Sequence, residues 1–584
     1  MAVWDSTELT PDRKIPAICK ELREVYKQPT LDLFREGAPR HGEEAYVKKG
    51  VLTLDKVGGE EIQLERVQVV IMNPPFTRQE RVPESYKAKL VERLEDYPQD
   101  VLHGQLGLYG YFIPLADRFL QDGGRMAFVL PASVLRLQST EGIRRFLLQK
   151  YHVEYVITAW QRAAFSEATE FREILLVAKK LPLEERKNNE RRTTFVTLRK
   201  LPQSREEAGR FADEIREAPQ RAVPFIENER MSILRVPHEE LVKNVRNLFT
   251  FIAAYDKKLR ELADQIILNA KLTRFADYLE KTRAHSIEGL ESRKGMKVQS
   301  MFILRDKSRG DSVSDPWIAD SIGVKDILVY NRFDRSQVKV PSKALRRALR
   351  SLSIVDSIDV GESNDYVVVD DFGQASKFFM ASRYGKVKRL LQAWRGYVED
   401  RLGTVIIMRR FDMSASGTKI FACCSQEALA GAGVTWNIMG LSTDAARILA
   451  LWLNSTLNVL QVFLNRIETR GAWTNLHEYA LRDLLVLDPA KLSEKQRQTL
   501  LDTFEEVKDI QFPSLLKQLH DRFYGRRKID AAVMRTLGIS QMQIKEMLDY
   551  LYPTLADEIE RLKALMAGKG GEEEENPLEA EEED

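Results

Sequence analysis

Residues 67–76 read VQVVIMNPPF, and this stretch decides the expected fold of the chain. An apolar, β-branched run, Val67–Met72, ends abruptly at Asn-Pro-Pro-Phe, residues 73–76. The run predicts a buried central strand, and the two prolines fix φ and remove two backbone donors. Ligands of open α/β sheets bind at the carboxyl ends of the strands. The sequence therefore predicts a rigid polar loop, with an aromatic ring beside it, at a binding edge.

The loop suits the methylation of an exocyclic amine on a purine ring. The side-chain oxygen of Asn73 and the carbonyl of Pro74 are two acceptors that could bind both amino hydrogens. The nitrogen lone pair would then point at an electrophilic methyl group. Phe76 could stack on a base that has been flipped out of its duplex.

These residues resemble the catalytic loop of the amino-methylating DNA methyltransferases, (Asp/Asn/Ser)-Pro-Pro-(Tyr/Phe/Trp), whose Asn form is the adenine-N6 type. Beyond the loop, the order of segments is similar to the gamma class: a helix, a Gly-Gly-Arg strand, an arginine-bearing helix, a strand, an aromatic loop and a final strand, at residues 108–120, 123–131, 143–148, 155–158, 165 and 174–177. The resemblance implies a partial Rossmann-like methyltransferase sheet and S-adenosyl-L-methionine as cofactor. It also implies catalytic roles for Asn73, Pro74, Pro75 and Phe76, with Phe76 and Phe165 stacking on the base.

The donor half of such a site is missing from the sequence. A methyltransferase of this type carries a strand with a glycine-rich turn for the methionine part of the cofactor, and an acidic residue for its ribose. Before Asn73 no Gly-x-Gly follows an apolar strand. The cofactor-binding residues are therefore unassigned. We expect a second polypeptide to carry the motif, unless residues 1–66 form an unusual donor site.

The charge of the chain favours a polyanionic partner. The formal net charge is +2, but residues 569–584 hold nine acidic residues against Lys569, so the remaining chain carries +10. A basic body fits duplex DNA as the partner. The acidic tail, residues 568–584, is predicted to be disordered.

Composition excludes several other classes of protein. No run of 18 apolar residues occurs, and the N-terminus lacks the apolar core of a signal peptide, so the sequence predicts a cytoplasmic protein and no membrane partner. Cys19, Cys423 and Cys424 form neither a disulfide framework nor a metal-ligand spacing. With no His-Glu-x-x-His motif among the seven histidines, no metal site is predicted.

The C-terminal half contains a predicted recognition domain. Residues 296–420 are rich in short β segments with interspersed arginines, as DNA-groove recognition requires. Leu-Asn-Ser, residues 453–455, lies in a predicted long amphipathic helix and resembles a helix in target-recognition domains of gamma-class methyltransferases and type I specificity subunits. The candidate DNA-binding residues are Arg346, Arg347, Arg350, Arg409 and Arg410.

The expected fold is α/β, with the partial methyltransferase sheet followed by a mixed α+β target-recognition domain and a helical extension. Alternating strands and helices predict a parallel sheet with covering helices, and local patterns predict a helix over residues 15–27, a hairpin over residues 51–64 and a basic turn at residues 524–528. The predicted boundaries are 1–180 (catalytic), 181–295 (connecting, mostly helical), 296–490 (target recognition), 491–567 (helical extension) and 568–584 (tail).

The leading hypothesis is a subunit of a site-specific adenine-N6 DNA methyltransferase in restriction-modification or phage defence. The alternative is a catalytically inactive DNA-recognition subunit of a defence complex. Since protein-glutamine and RNA methyltransferases use similar loops, an enzyme of either kind is a third reading.

Overall fold

The computed structural model describes residues 2–3, 9–18, 50–52, 61–77, 79–159, 165, 172–218, 225–253, 256–292, 298–305, 316–361, 364–378, 387–466 and 473–564. The chain divides into two compact units, Met1–Ile252 and Ala253–Asp584.

The strands described in the first unit are β1 (Ala2–Val3), β2 (Lys14–Ile18), β3 (Gly50–Leu52), β4 (Glu61–Gln63), β5 (Val67–Met72), β6 (Leu120–Pro131), β7 (Tyr151–Ala159), β8 (Glu173–Lys180), β9 (Arg192–Leu198), β10 (Phe225–Glu227) and β11 (Met231–Pro237). Its helices are α1 (Glu84–Arg93), α2 (Leu108–Phe119), α3 (Glu141–Lys150), α4 (Arg205–Glu217) and α5 (His238–Lys243).

A seven-stranded sheet with the order β10-β11-β9-β7-β8-β6-β5 forms the centre of the first unit. β5 and β6 are parallel, as the connection through α2 requires. β8 is antiparallel to both of its neighbours, β6 and β7. The sheet is therefore mixed, and the prediction of a parallel sheet is wrong at β8, which begins at the edge where β7 ends and runs back beside it. The α/β fold with a partial Rossmann-like sheet is confirmed.

β5 lies at the edge of this sheet, so the prediction of a buried central strand is wrong for the described residues. Among these, its only hydrogen-bonded neighbour is β6. Val70 on one face is 8% exposed, whereas Val67, Val69 and Ile71 on the other are 41%, 57% and 78% exposed. The apolar run is typical of a strand that is buried on both faces, but the described residues of this unit cover only one face of β5.

Two glycines allow β6 to run close to β5. Gly123 has a φ of +81°, which favours glycine, and a Cβ at Gly124 would lie 2.8 Å from the carbonyl oxygen of Gln68. The Gly-Gly-Arg segment thus fits the approach of the two strands.

A buried polar cluster joins α2 to β7 and β8 at the edge where the parallel strands begin. The carboxylate of Asp117 accepts hydrogen bonds from the hydroxyls of Tyr97, at 2.9 Å, and Tyr151, and lies 3.0 Å from the ammonium of Lys180. Burial alone would raise the pKa of Asp117, but the hydrogen bond from Tyr151 and the charge of Lys180 outweigh it and hold that pKa below its usual range. This cluster stabilises the sheet from the edge opposite to the Asn-Pro-Pro-Phe loop.

The N-terminal segments differ from their predictions. The first residues of the helix predicted over residues 15–27 belong instead to strand β2, which ends at Ile18. Residues 19–27 lie outside the described residues. The predicted hairpin over residues 51–64 is wrong, because β3 and β4 both pair with β2, in a small sheet of order β1-β3-β2-β4. The alternating pattern of β3 and β4 predicts strands, but it does not determine which strand each of them pairs with.

The seven-stranded sheet continues beyond the predicted boundary at residue 180. β9 pairs with β7, β11 pairs with β9, and β10 closes the far edge. Phe211 and Ile215 of α4 are buried in a core with Val196 and Ile233. Part of the region predicted as a mostly helical connection is therefore sheet.

The strands described in the second unit are β12 (Leu272–Arg274), β13 (His285–Glu288), β14 (Phe302–Leu304), β15 (Trp317–Ile322), β16 (Asp326–Asn331), β17 (Gln337–Pro341), β18 (Leu345–Leu349), β19 (Asp365–Val368), β20 (Gly403–Met408), β21 (Arg410–Asp412), β22 (Ala422–Gly431), β23 (Thr435–Met439), β24 (Trp473–Asn475) and β25 (Leu485–Leu487). Its helices are α6 (Lys257–Ile267), α7 (Phe275–Thr282), α8 (Val387–Glu399), α9 (Thr443–Leu453), α10 (Thr456–Asn465), α11 (Glu478–Asp483), α12 (Glu494–Val507), α13 (Leu515–His520), α14 (Tyr524–Leu537) and α15 (Gln541–Ala564).

A ten-stranded sheet, β13-β23-β20-β22-β18-β19-β14-β15-β16-β17, forms the β-rich part of the second unit. Helices α12 to α15 follow it, so the mixed α+β region and the helical extension are confirmed. The predicted acidic tail lies outside the described residues. No single described helix has the length and apolarity to cross a membrane; α9 and α10 meet that test only as a pair, and they are bent by 66°.

We predict that Asp117→Asn lowers the local free energy of unfolding of α2 and β8 by about 3–5 kcal/mol, because the substitution leaves the buried ammonium of Lys180 without its counter-charge. Hydrogen exchange of the backbone amides in α2 and β8 measures this quantity. The contribution should be fully present above pH ~4, the carboxyl pKa in the unfolded chain, and should disappear as the pH falls through the lower folded-state pKa.

Asp122→Asn is the matched control, since Asp122 is an exposed aspartate on the neighbouring strand. Equal exchange rates in the two variants would contradict the structural role given to Asp117.

Candidate active site

The Asn-Pro-Pro-Phe loop follows β5 at the carboxyl edge of the sheet. Asn73 and Pro75 are exposed, Pro74 is buried and Phe76 is half-buried. The buried ring of Pro74 fixes the loop to the unit, while the amide of Asn73 stays accessible to a ligand. The structure thus leaves the predicted amine-binding side chain exposed and anchors the residue that follows it.

The beginning of α2 holds the loop in place. The backbone N–H of Leu108 donates to the carbonyl of Thr77 at 3.0 Å, and the Phe76 ring meets the Tyr109 ring edge-on, with centroids 6.4 Å apart. A Cβ at Gly107 would lie 2.6 Å from the Tyr109 ring and 3.4 Å from the Thr77 carbonyl oxygen. Gly107 therefore permits the close approach of α2 and the loop.

Tyr109 is a neutral support for Phe76. Burial raises the pKa of Tyr109 to about 12, and a side-chain hydrogen bond with Ser133 and the charge of Arg144 only partly oppose that rise. Ser133 belongs to the 3-10 turn that follows β6. The segments after β5 and β6 are thus both joined to the beginning of α2.

Phe165 and Glu173 lie at the same edge of the sheet. β5, β6 and β7 point in one direction, so the segment after β7 is at their carboxyl edge, where the antiparallel β8 begins with Glu173. The N–H of Phe165 donates to the Glu173 carboxylate at 2.9 Å. The half-buried Phe165 ring packs against the core formed by α4 and β9. Its stacking on a base stays a prediction.

The sequence reading missed the contributions of Gly107, Tyr109 and Glu173. A glycine two residues before a tyrosine in an apolar helix does not, by itself, indicate a contact with a loop thirty residues earlier. The acidic residue is separated from Phe165 by residues with no recognisable motif. These contacts depend on tertiary structure.

The five arginines predicted to bind DNA are placed in or beside the β-rich sheet of the second unit. Arg346 forms an ion pair with Glu399 at 2.7 Å, and Arg347 forms one with Glu427 at 2.6 Å. Arg409 is 8% exposed and forms ion pairs with Glu288 and Glu291 at 2.9 and 3.2 Å. The guanidinium of Arg350 lies 6.0 Å from the centroid of the Phe302 ring. Arg410 is half-buried in β21. At least three of these positive charges are thus compensated by carboxylates, and their DNA-binding role stays a prediction.

The Leu-Asn-Ser motif forms the break between α9 and α10, where a single long helix was predicted. Asn454 accepts a hydrogen bond from the N–H of Phe421 at 2.8 Å and donates to the carbonyl of Ala422 at 2.7 Å, while Ser455 caps α10. The N–H and hydroxyl of the next residue, Thr456, donate to the buried carboxylate of Asp530 at 2.7 and 2.6 Å. The motif therefore connects the β-rich sheet to the helical extension.

The basic segment at residues 524–528, predicted as a turn, is the first turn of α14. Arg526 is buried and donates to the carbonyl of Asn454 at 3.0 Å, and Lys528 pairs with Glu506 at 2.8 Å. These two charges are engaged within the second unit. Within the described part of the chain, no group of three or more His, Cys, Asp or Glu side chains is placed to hold a metal ion.

A family model described as Eco57I restriction-modification methylase matches residues 46–165. The matched segment is about a fifth of the chain and spans β5, the loop, α2, β6 and Phe165. Over these residues the chain is similar to that methylase family. The search of curated proteins gives no match.

Three solved structures of restriction enzymes show weak similarity. The type IIG restriction endonuclease BpuSI has a TM-score of 0.39 and 16% identity over 85% of this chain and 54% of its own. The type IIL enzyme MmeI, in complex with DNA, has 0.44 and 11% over 85% and 57%. A nuclease-deletion mutant of the type ISP enzyme LlaGI, with a DNA substrate mimic, has 0.32 and 9% over 87% and 53%. This chain spans about half the length of these proteins, and at these scores their activities and partners do not transfer to it.

We predict that Gly107→Ala destabilises the active-site loop. The added methyl group would overlap the Tyr109 ring, and overpacking of this kind costs about 1–3 kcal/mol. Hydrogen exchange of the amides at the beginning of α2 measures the change.

Gly104→Ala is the matched control, because a Cβ at Gly104 would have no neighbour within 4 Å. If the two alanine variants exchanged equally fast, the packing of α2 against the loop would not be what holds the loop in place.

Proposed function

We propose that the chain is the base-binding subunit of a site-specific DNA methyltransferase that acts on the N6 amine of adenine in duplex DNA. The observation that carries this proposal is the exposed amide of Asn73 beside an anchored Pro74, at the carboxyl edge of a sheet within the matched methylase region. The biological setting we propose is restriction-modification or phage defence, and the compartment is the cytoplasm.

The residues of the loop have distinct roles in this proposal. The Asn73 side-chain oxygen and the Pro74 carbonyl accept the two amino hydrogens of a flipped adenine, so that the nitrogen lone pair points away from the loop. Phe76, supported by Tyr109, stacks on the base. These groups act by positioning the amine and excluding water from it, which are effects that need no covalent enzyme intermediate.

The family match implies S-adenosyl-L-methionine as the methyl donor. The described residues supply no cradle for it: β5 has no neighbour on the side away from β6, and no glycine-rich turn of the described chain faces Asn73. We therefore propose that a second polypeptide carries the donor-binding strands.

The missing cradle also favours the alternative function, a DNA-recognition subunit that captures a base and has no transferase activity. The two functions predict the same fold and differ in product. The third reading, methylation of RNA or protein, is separated from both by the identity of the modified molecule.

We further propose that the second unit supplies most of the affinity and the sequence specificity for duplex DNA, with residues 296–490 as the target-recognition domain. The support is the large β-rich sheet and the +10 charge of the chain without its acidic tail. Contacts with phosphates position a protein on DNA, and side chains on base edges specify the sequence.

We predict that Asn73→Ala removes N6-methyladenine from the recognition sites of the host genome, because the amine is then bound by one acceptor instead of two. The measurement is modification-sensitive sequencing of DNA from cells that carry the variant in place of the native gene. The control is Asn189→Ala, which changes another exposed asparagine in a loop of the same unit.

Full methylation in the Asn73→Ala cells would reject the mechanism. No adenine methylation in the native cells, with DNA binding retained, would favour the recognition subunit. Methyl transfer to RNA or protein alone, from radiolabelled donor in native extract, would favour the third reading.

A further inference from the structure

One face of β5 is apolar and is left exposed by the described residues, which is unusual for an edge strand. Val67, Val69 and Ile71 project from the same face and are 41%, 57% and 78% exposed. Edge strands of monomeric proteins are normally protected by charges, prolines or bulges. This edge instead presents three branched aliphatic side chains within six residues.

The surface extends across the sheet from this edge. In the strand register, Ile71 lies beside Ala127 of β6, which lies beside Val177 of β8. Ala127 and Val177, together with Val129 and Leu175, are half-buried. On the opposite face, Val70 and Met126, which pair with each other, are buried. The apolar residues of this face therefore span β5, β6 and β8 in the row of Ile71 and at Val129 and Leu175, whereas Arg125 and Lys179 occupy the row of Val69.

A helix covers this face elsewhere in the sheet. α4 packs its buried Phe211 and Ile215 over β9 and β11, and the half-buried Tyr155 and Ile157 of β7 pack against the same core. Over β5 and β6 the described residues provide no equivalent helix. Parallel strands joined by crossover helices are covered on both faces, so a further helix over β5 and β6 would complete the cover of this face.

One ion pair lies on the same face. Arg125 lies in the row of Val69, is exposed and forms an ion pair with Glu154 at 2.8 Å. Its charge is compensated within the unit, so it adds a polar contact beside the apolar residues without an unpaired charge.

We infer that this surface docks a strand–helix unit of a second polypeptide, whose strand pairs in parallel with the open edge of β5 and whose helix covers Val67, Val69 and Ile71. The inference rests on the proposed function. It adds where the partner binds and in which direction its strand runs.

The direction follows from the position of Asn73. A loop that faces Asn73 must leave its strand at the carboxyl edge of the sheet, which requires the added strand to run parallel to β5. Adjacent strands are about 4.8 Å apart, so the loop after the added strand would lie beside the Asn-Pro-Pro-Phe loop. An antiparallel strand would send its following loop to the opposite edge. A strand without a helix would leave the apolar face uncovered.

The first test uses the photocrosslinking residue p-benzoylphenylalanine at position 71 of the full chain, expressed in its native host with the neighbouring genes. The control places the same residue at position 183, because Leu183 is 73% exposed but lies in a 3-10 turn away from β5. We expect a single adduct at position 71, with a peptide that contains an apolar strand followed by a glycine-rich turn, and none at position 183.

An adduct with a second copy of this chain, an adduct within the same chain, or no adduct at position 71 would overturn the inference. Identification of the crosslinked peptide by mass spectrometry is required for support, because capture of an arbitrary protein would not show strand pairing.

The second test compares Ile71→Lys with Leu183→Lys. A lysine at position 71 would be buried without a counter-charge beneath the docked helix, so affinity for the crosslinked partner should fall at least about a hundredfold. The thermal unfolding temperature of the isolated chain should not change, since Ile71 is exposed there. Leu183→Lys should bind the partner as the native chain does.

Failure of this inference differs from failure of the proposed function. Undiminished partner binding by Ile71→Lys would reject the surface while leaving adenine methylation intact. Conversely, if the partner crosslinks at position 71 and no methylated adenine is found in the host genome, the surface stands and the proposed enzyme activity falls.

Discussion

The parallel pairing of β5 with β6, its one hydrogen-bonded neighbour among the described strands, determines how the Asn-Pro-Pro-Phe loop is held in the first unit. β6 fixes the direction of β5, and the crossover through α2 brings Gly107 and Tyr109 to the end of the strand. The loop is therefore held by α2 on the side where the fold is complete. On its other side β5 has no neighbour among the described residues, and the partner strand proposed above would pair there.

Stability and binding are separated between the two edges of the sheet. The amino edge of the parallel strands contains the buried cluster of Asp117, Tyr97, Tyr151 and Lys180, whose charges and hydroxyls satisfy one another. The carboxyl edge contains an exposed amide and a half-buried ring. The polar groups of the buried cluster bond to one another, so their burial indicates a structural role.

Local patterns in the sequence identify the strands and helices around the loop, and the α/β fold is confirmed. They do not predict strand order: Val67–Met72 has the composition of a central strand, yet it lies at the edge of the described sheet, because apolar composition does not determine which strands are its neighbours. The same limit applies to β3 and β4, which read as a hairpin but pair through β2. Likewise, the charge of Arg409 suggests a surface contact, whereas Glu288 and Glu291 compensate it inside the unit. The bend at Leu-Asn-Ser depends on Asp530, 74 residues from Thr456, a separation that helical periodicity cannot detect.

We propose that this chain binds the base and that it needs its partner to bind the methyl donor. Calorimetric titration of S-adenosyl-L-methionine into the purified chain, and into the chain with the partner crosslinked at Ile71, distinguishes this arrangement from a self-sufficient enzyme. We expect no measurable heat of binding with the chain alone and saturable one-site binding once the partner is present. One-site micromolar binding to the chain alone would contradict it and would place the donor site within residues 1–66.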